Sequence, residues 1–199
     1  MTDINRQKVL AVEGKDEVNF FDALLKYLGI TDFKIYEVGG KNQFKNKLPA
    51  LVRMPFFSDV EVLVVIRDAD EDANAAFESI RYILRNEGFE PPKDRNQFSD
   101  GKPKIGIFIM PGNSDKGMLE DLCLETVKDH PAMECVNAFI ECASKLEDLP
   151  NRLAKAKAQT FLAAMPNIVC SVGVAAQKNY WDFNSEVLKD IKAFLKSEK

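Results

Sequence analysis

The sequence predicts an α/β domain with a mainly parallel sheet of about four strands, helices on both faces and a helical C-terminal extension. Three observations predict it. Short runs of buried-type residues alternate with amphipathic segments, the order that builds a parallel sheet with crossover helices. The strand-like runs are continuously apolar, as in strands covered on both faces. From about residue 130 the pattern changes to helical periods, with a single short strand candidate.

The first strand is expected at Lys8 to Val12. Asp16 then opens a helix whose apolar stripe is Val18, Phe21, Leu24, Leu25 and Leu28, stopped by Gly29. Phe33 to Val38 reads as the second strand, ending in Gly39-Gly40-Lys41. A helix from Phe44 to Arg53 follows, irregular around Pro49. Glu61 to Arg67 is the third strand, and Asp72 to Arg85 a helix with Ala76, Ile80, Ile83 and Leu84 inward.

Asn86 to Lys104, rich in Gly, Pro and charge, reads as a long loop. Ile105 to Met110 is the fourth buried strand. Pro111 to Ser114 turns the chain into a helix over Gly117 to Val127. Ala132 to Leu146, Arg152 to Met165 and Ser185 to Lys196 read as helices, and Ile168 to Val174 as the strand candidate. Residues 1–199 are expected to form one domain, its core at about 7–125 and its helical extension at about 130–199.

Composition narrows the function. No apolar run approaches the roughly 20 residues of a membrane helix, and Met1 to Lys8 is too polar for a signal peptide. A cytoplasmic location without membrane partners is the expectation. The net charge of −4 and the pI near 5.2 are no nucleic-acid signature for the surface as a whole. Cys123, Cys135, Cys142 and Cys170 lack metal-ligand spacing, and the seven-residue interval of Cys135 and Cys142 suggests reduced thiols in the core. One histidine, His130 beside Pro131, leaves no basis for a Ser-His-Asp mechanism.

The chemistry concentrates where the strands end. Leu63 to Ile66 runs into Arg67-Asp68-Ala69-Asp70, and Val9 to Val12 into Glu13-Gly14-Lys15-Asp16. In an extended chain Asp68 and Asp70 face the same side, and the small Ala69 separates them. Two adjacent carboxylates call for a cation, and oxygen-only ligands favour Mg²⁺ or Mn²⁺. In an open parallel sheet, ligands bind beyond the carboxyl ends of the strands, so both acidic ends can reach one crevice. Asp70 has a second reading, as N-cap of the helix beginning near Glu71. Gly39-Gly40-Lys41 reads as a turn or a backbone nest, not a P-loop.

Glu13-Gly14-Lys15-Asp16 followed by Asp68-Ala69-Asp70 resembles the Toprim domain of topoisomerases, primases and certain nucleases, over about residues 7–125. The segment from Met110 to Asp121, Lys155-Ala156-Lys157-Ala158 and the Gly173 to Phe183 stretch resemble a family of small stand-alone Toprim-like proteins. That family is related to the Toprim nuclease domains of overcoming-lysogenization-defect proteins.

The resemblance implies Glu13 as metal ligand or general acid/base, and Asp68 and Asp70 as metal ligands, with Asp16 supporting or joining them. It also implies a second cation site at Glu120 and Asp121. Lys157 would stabilise charge on a phosphoryl transition state, or is a solvated helix lysine. Lys41, Lys45 and Lys155 are candidate nucleic-acid contacts. The basic residues Lys47, Arg53, Lys93, Arg95, Lys102 and Lys104 either track a phosphate backbone or are solvated surface charge.

The expected function is Mg²⁺- or Mn²⁺-dependent phosphoryl transfer, foremost a nuclease acting on DNA or RNA. Two alternatives remain. Acids at strands one and three also suit an aspartyl-phosphate phosphotransfer domain, although the lysine of such receivers is not found at a later strand end. A chain without an ATP motif also suits a non-catalytic metal-binding subunit that partners an ATPase.

Overall fold

The computed structural model describes residues 8–146 and 153–197. Its centre is a five-stranded sheet in the order β2-β1-β3-β5-β4. β1 (Lys8–Val12), β2 (Phe33–Glu37), β3 (Val62–Asp68) and β5 (Lys104–Met110) run parallel. These are the four expected strands. The fifth, β4 (Gln97–Phe98), is a two-residue antiparallel edge inside the stretch read as loop. Its Phe98 ring covers Gly106, where a Cβ would lie 2.5 Å from Phe98 Cε1 and 2.8 Å from Phe194 Cζ. The glycine admits an aromatic stack, with the Phe98 and Phe194 centroids 4.6 Å apart.

Alternation along the strands divides the core into two layers. Val9, Ala11, Leu63, Val65, Ile105, Ile107 and Ile109 face α2 (Phe44–Val52) and α3 (Ala73–Asn86). Leu10, Val12, Val64, Ile66, Phe108 and Met110 face the other layer. That layer holds α1 (Lys15–Tyr27), α4 (Leu119–Thr126), α5 (Ala132–Ala143), α6 (described from Leu153 to Ala163), α7 (Val172–Gln177) and α8 (Lys189–Lys196). The extension therefore shares one core with the first half. Both faces are covered, which is why the strands read as unbroken apolar runs.

Several expectations need correction. Ile168–Val174 is not a strand: it runs as a loop into α7, whose N-terminus Ser171 caps by accepting from the Val174 amide at 3.0 Å. The small residues Gly173, Ala175 and Ala176 pack this short helix tightly in the layer that holds α1. The start expected at Arg152 lies outside the described residues. α5 ends at Ala143, and Glu186–Leu188 is a 3₁₀ turn before α8. Only Cys123 is buried; Cys135, Cys142 and Cys170 are exposed, because the inward side of α5 is filled by Met133 and Val136. Phe20, absent from the expected stripe, is fully buried because α1 is covered on two sides, with the Phe183 ring edge-on to Phe20 at 5.6 Å. Among the described residues, no helix is long and apolar enough to cross a membrane.

Candidate functional site

β1 sends the chain to β2 on one side and β3 lies on its other side, so the strand order reverses between β1 and β3. Such a switch point leaves a crevice at the carboxyl ends of the strands. Here a cavity of about 570 Å³ is lined by the carboxylates of Glu13, Asp16, Glu17, Asp68, Asp70 and Glu120, with Lys15, Lys41 and Lys155 in its walls. The two acidic strand ends thus meet, as the spacing predicts, and Glu120 joins them from α4.

Each carboxylate has a distinct environment. Glu13 Oε1 accepts from the Lys41 amide at 3.0 Å, while its buried Oε2 has no hydrogen-bond partner among the described residues. Burial, with the neighbouring Asp70 charge, raises the Glu13 pKa above the ordinary glutamate value. Asp68, 8% exposed, accepts from the Leu119 amide at 3.1 Å. Burial, then the charges of Glu17, Glu13, Glu120 and Asp70, holds its pKa well above the usual range.

Glu17 joins the site in addition to the acids expected from the strand ends. It is the third residue of α1, and its Oε2 accepts from the N-cap Gly14 amide at 2.9 Å. That is one half of a capping box, a sequence signal that locates the helix start. Burial raises its pKa from 4.5 to about 7, against the lowering effect of the backbone amides.

Asp70 is not the helix cap. Asp72 is, its Oδ1 accepting from the amides of Asn74 at 2.8 Å and Ala75 at 3.0 Å. Asp70 instead sits at φ +51°, its backbone exchanging two 2.9 Å hydrogen bonds with Gly117. Its Oδ2 lies 3.0 Å from Lys41 Nζ. Asp16 faces the crevice but is committed to α7: its Oδ1 accepts from Ser171 Oγ and from the Gly173 amide at 3.2 Å.

The remaining candidates separate. Asp121 is exposed and its carboxylate accepts from the Met118 amide at 2.9 Å, so it caps α4 and lines a neighbouring cavity instead of the acidic one. Lys155 reaches Glu120 Oε1 at 3.5 Å. Lys157, two residues on and therefore on another side of α6, does not line the crevice. Lys45 is exposed on α2 and lines neither cavity. The Gly39 and Gly40 amides both donate to the Glu13 carbonyl at 2.8 Å, so this turn serves Glu13 and is not a free anion nest. The neighbouring cavity, about 780 Å³, shares Lys41, Asp70 and Met118 with the first.

The oxygen-only donor set and the orphaned Glu13 Oε2 fit a hard divalent cation. Among the described residues, however, no group of three or more His, Cys, Asp or Glu side chains stands arranged to hold one. A cation would require side chains to turn toward it.

Fold and crevice together define an α/β protein with a carboxylate cluster, partly buried, at the switch point of a mainly parallel sheet. The chain belongs to the family described as Protein of unknown function (DUF3226), whose model matches residues 7–198. No curated protein matches it. The C-terminal region of the Xanthomonas campestris pv. campestris OLD protein is similar at 16% identity, covering 95% of this chain and 94% of that one, with a TM-score of 0.36. A likeness at that level carries no argument about the site.

Proposed function

We propose that this protein is a Mg²⁺- or Mn²⁺-dependent phosphoryl-transfer protein that cleaves phosphodiesters of DNA or RNA. The observation that carries the reading is the crowding of buried and half-buried carboxylates at the ends of two adjacent parallel strands, with Glu13 Oε2 unpartnered among the described residues. Burial, and then the charges of neighbouring acids, raises the pKa of Glu13 and Asp68, and a cation would favour their charged forms. Glu13, Asp68 and Asp70 would hold the cation, with Glu120 lining the same cavity.

When bound, the cation supplies positive charge for the phosphoryl oxygens and the attacking water. Glu13 has a free oxygen and a raised pKa, both suited to taking the proton of that water. Lys155, beside Glu120 and half in solvent, replaces Lys157 as the lysine able to meet developing phosphoryl charge. The acidic balance of the chain implies weak nucleic-acid binding that falls with salt.

The test is incubation of single- and double-stranded DNA and RNA with Mn²⁺ and wild type or Glu13→Gln. Cleavage by wild type and its loss in Glu13→Gln is the expected result; cleavage that persists in Glu13→Gln counts against it. One observation favours a second reading, a non-catalytic metal-binding subunit that partners an ATPase: the net charge of −4, which works against a nucleic-acid substrate. Confirmed cation binding without cleavage of any substrate would select that reading.

A further inference from the structure

We infer that Lys41 is a built-in counter-cation of the crevice, which a divalent cation must displace in order to bind. The inference rests on the cation reading above but not on the nuclease reading. Its basis is the way both ends of the Lys41–Asp70 pair are fixed. Gly39 and Gly40, at φ +94° and +106°, fold the chain so that their amides hold the Glu13 carbonyl and the next amide holds Glu13 Oε1. The Lys41 backbone is thereby anchored to the central carboxylate of the site. Asp70 is anchored as firmly, through its paired hydrogen bonds to Gly117. The side chains meet between these anchors, Nζ to Oδ2 at 3.0 Å.

Position and charge give this pair its meaning. Asp70 lines the same cavity as Glu13, Asp68 and Glu120, so a cation held on Asp70 sits within the carboxylate cluster. An ammonium there supplies one positive charge where a divalent ion would supply two. It also occupies an oxygen that the ion needs.

Lys41 can yield the place without backbone motion. Its side chain is 40% exposed and Asp70's is 22%, so the pair can open to solvent. Lys41 also lines the neighbouring cavity, where Asn113, Ser114 and Lys116 form part of the wall. Rotation about its side-chain bonds moves the ammonium from the acidic cavity into that one.

Calorimetric titration of Mg²⁺ into metal-stripped wild type, Lys41→Met, Asp70→Asn and the double variant tests this. Lys41→Met keeps the amide that holds Glu13, and Lys41→Gln serves as a second neutral replacement if the methionine variant does not fold. Removal of a partly exposed ion pair that competes with the metal is expected to tighten Mg²⁺ binding about fivefold or more. In the Asp70→Asn background, where there is no pair to break, the same substitution should give no tightening. Unchanged or weaker Mg²⁺ affinity in a folded Lys41 variant overturns the inference. So does absence of binding in every variant, which removes the cation reading as well. Tighter binding without cleavage of any nucleic acid supports the inference and removes only the nuclease reading.

Discussion

The amide of Leu119, the first residue of α4, donates to Asp68 Oδ1 at 3.1 Å. One hydrogen bond thus ties the end of β3 to the start of a helix 51 residues later. The bond reaches Asp68 in a setting where burial, and then four other carboxylates, raise its pKa.

Asp68→Asn keeps an oxygen for Leu119 and removes a buried charge. The metal-free melting temperature should rise by about 2–4 °C, corresponding to about 1 kcal/mol for a chain of this size. The rise in melting temperature that Mg²⁺ gives the wild type should vanish. Scanning calorimetry with and without Mg²⁺ checks both, and a lower metal-free melting temperature would contradict the repulsion argument.

Glu17 sets a pH dependence. Its folded pKa of about 7 lies above the ordinary 4.5, so between these values the folded state binds the proton more tightly than the unfolded state. The stability from this group is fully present below about pH 4.5 and is lost as pH rises toward about 7. Urea melts of metal-free protein across this window should show falling stability, and Glu17→Gln should flatten the fall.

Gly173 packs so closely on α1 that a Cβ would run into the Asp16 carbonyl and lie 2.7 Å from Asn19 Cβ. Both obstacles are at or next to the backbone, so they cannot swing away. Gly173→Ala should destabilise the fold by about 2–3 kcal/mol, read as a lower urea midpoint.

The two lysines of α6 should behave differently in any activity assay. Lys155→Ala should lower kcat/KM about tenfold or more, equivalent to about 1.4 kcal/mol. Lys157→Ala should change it less than twofold. The reverse order would restore Lys157 to the role that the sequence resemblance implies.

Thiol accessibility follows from burial. Cys135, Cys142 and Cys170 should react with an aromatic disulfide reagent in the native protein, and Cys123 only after unfolding. Burial also pushes the Cys123 thiol pKa up, which slows its reaction further.

What was legible in the sequence was local. Four strands, and the convergence of Glu13 with Asp68 and Asp70, follow from apolar runs ending in acids and from the rule that parallel strands share a carboxyl edge. The i, i+2 spacing of Asp68 and Asp70 holds only in part, because Asp70 leaves the strand at positive φ. What was not legible depends on distant packing. Ile168, Val169, Val172 and Val174 have strand propensity, yet Ser171 caps a helix there and the small residues that follow seat it in the α1 layer. Lys155 and Ser171 reach the crevice only through the docking of α6 and α7, which no period in their own segments reveals. Glu17 was not read as a site residue, since its burial comes from the tertiary fold.

The close approach of Gly173 to Asp16 bears on where this molecule can be cut. A shortened chain ending after α4 would retain every acid of the crevice, yet it would surrender Lys155, Ser171 and Val174 from the lining. It would also uncover the side of α1 that carries Phe20, against which Phe183 rests. Residues beyond 130 are therefore masonry rather than ornament: a fragment trimmed to the sheet and its first helices would keep the ligands and lose the room that contains them.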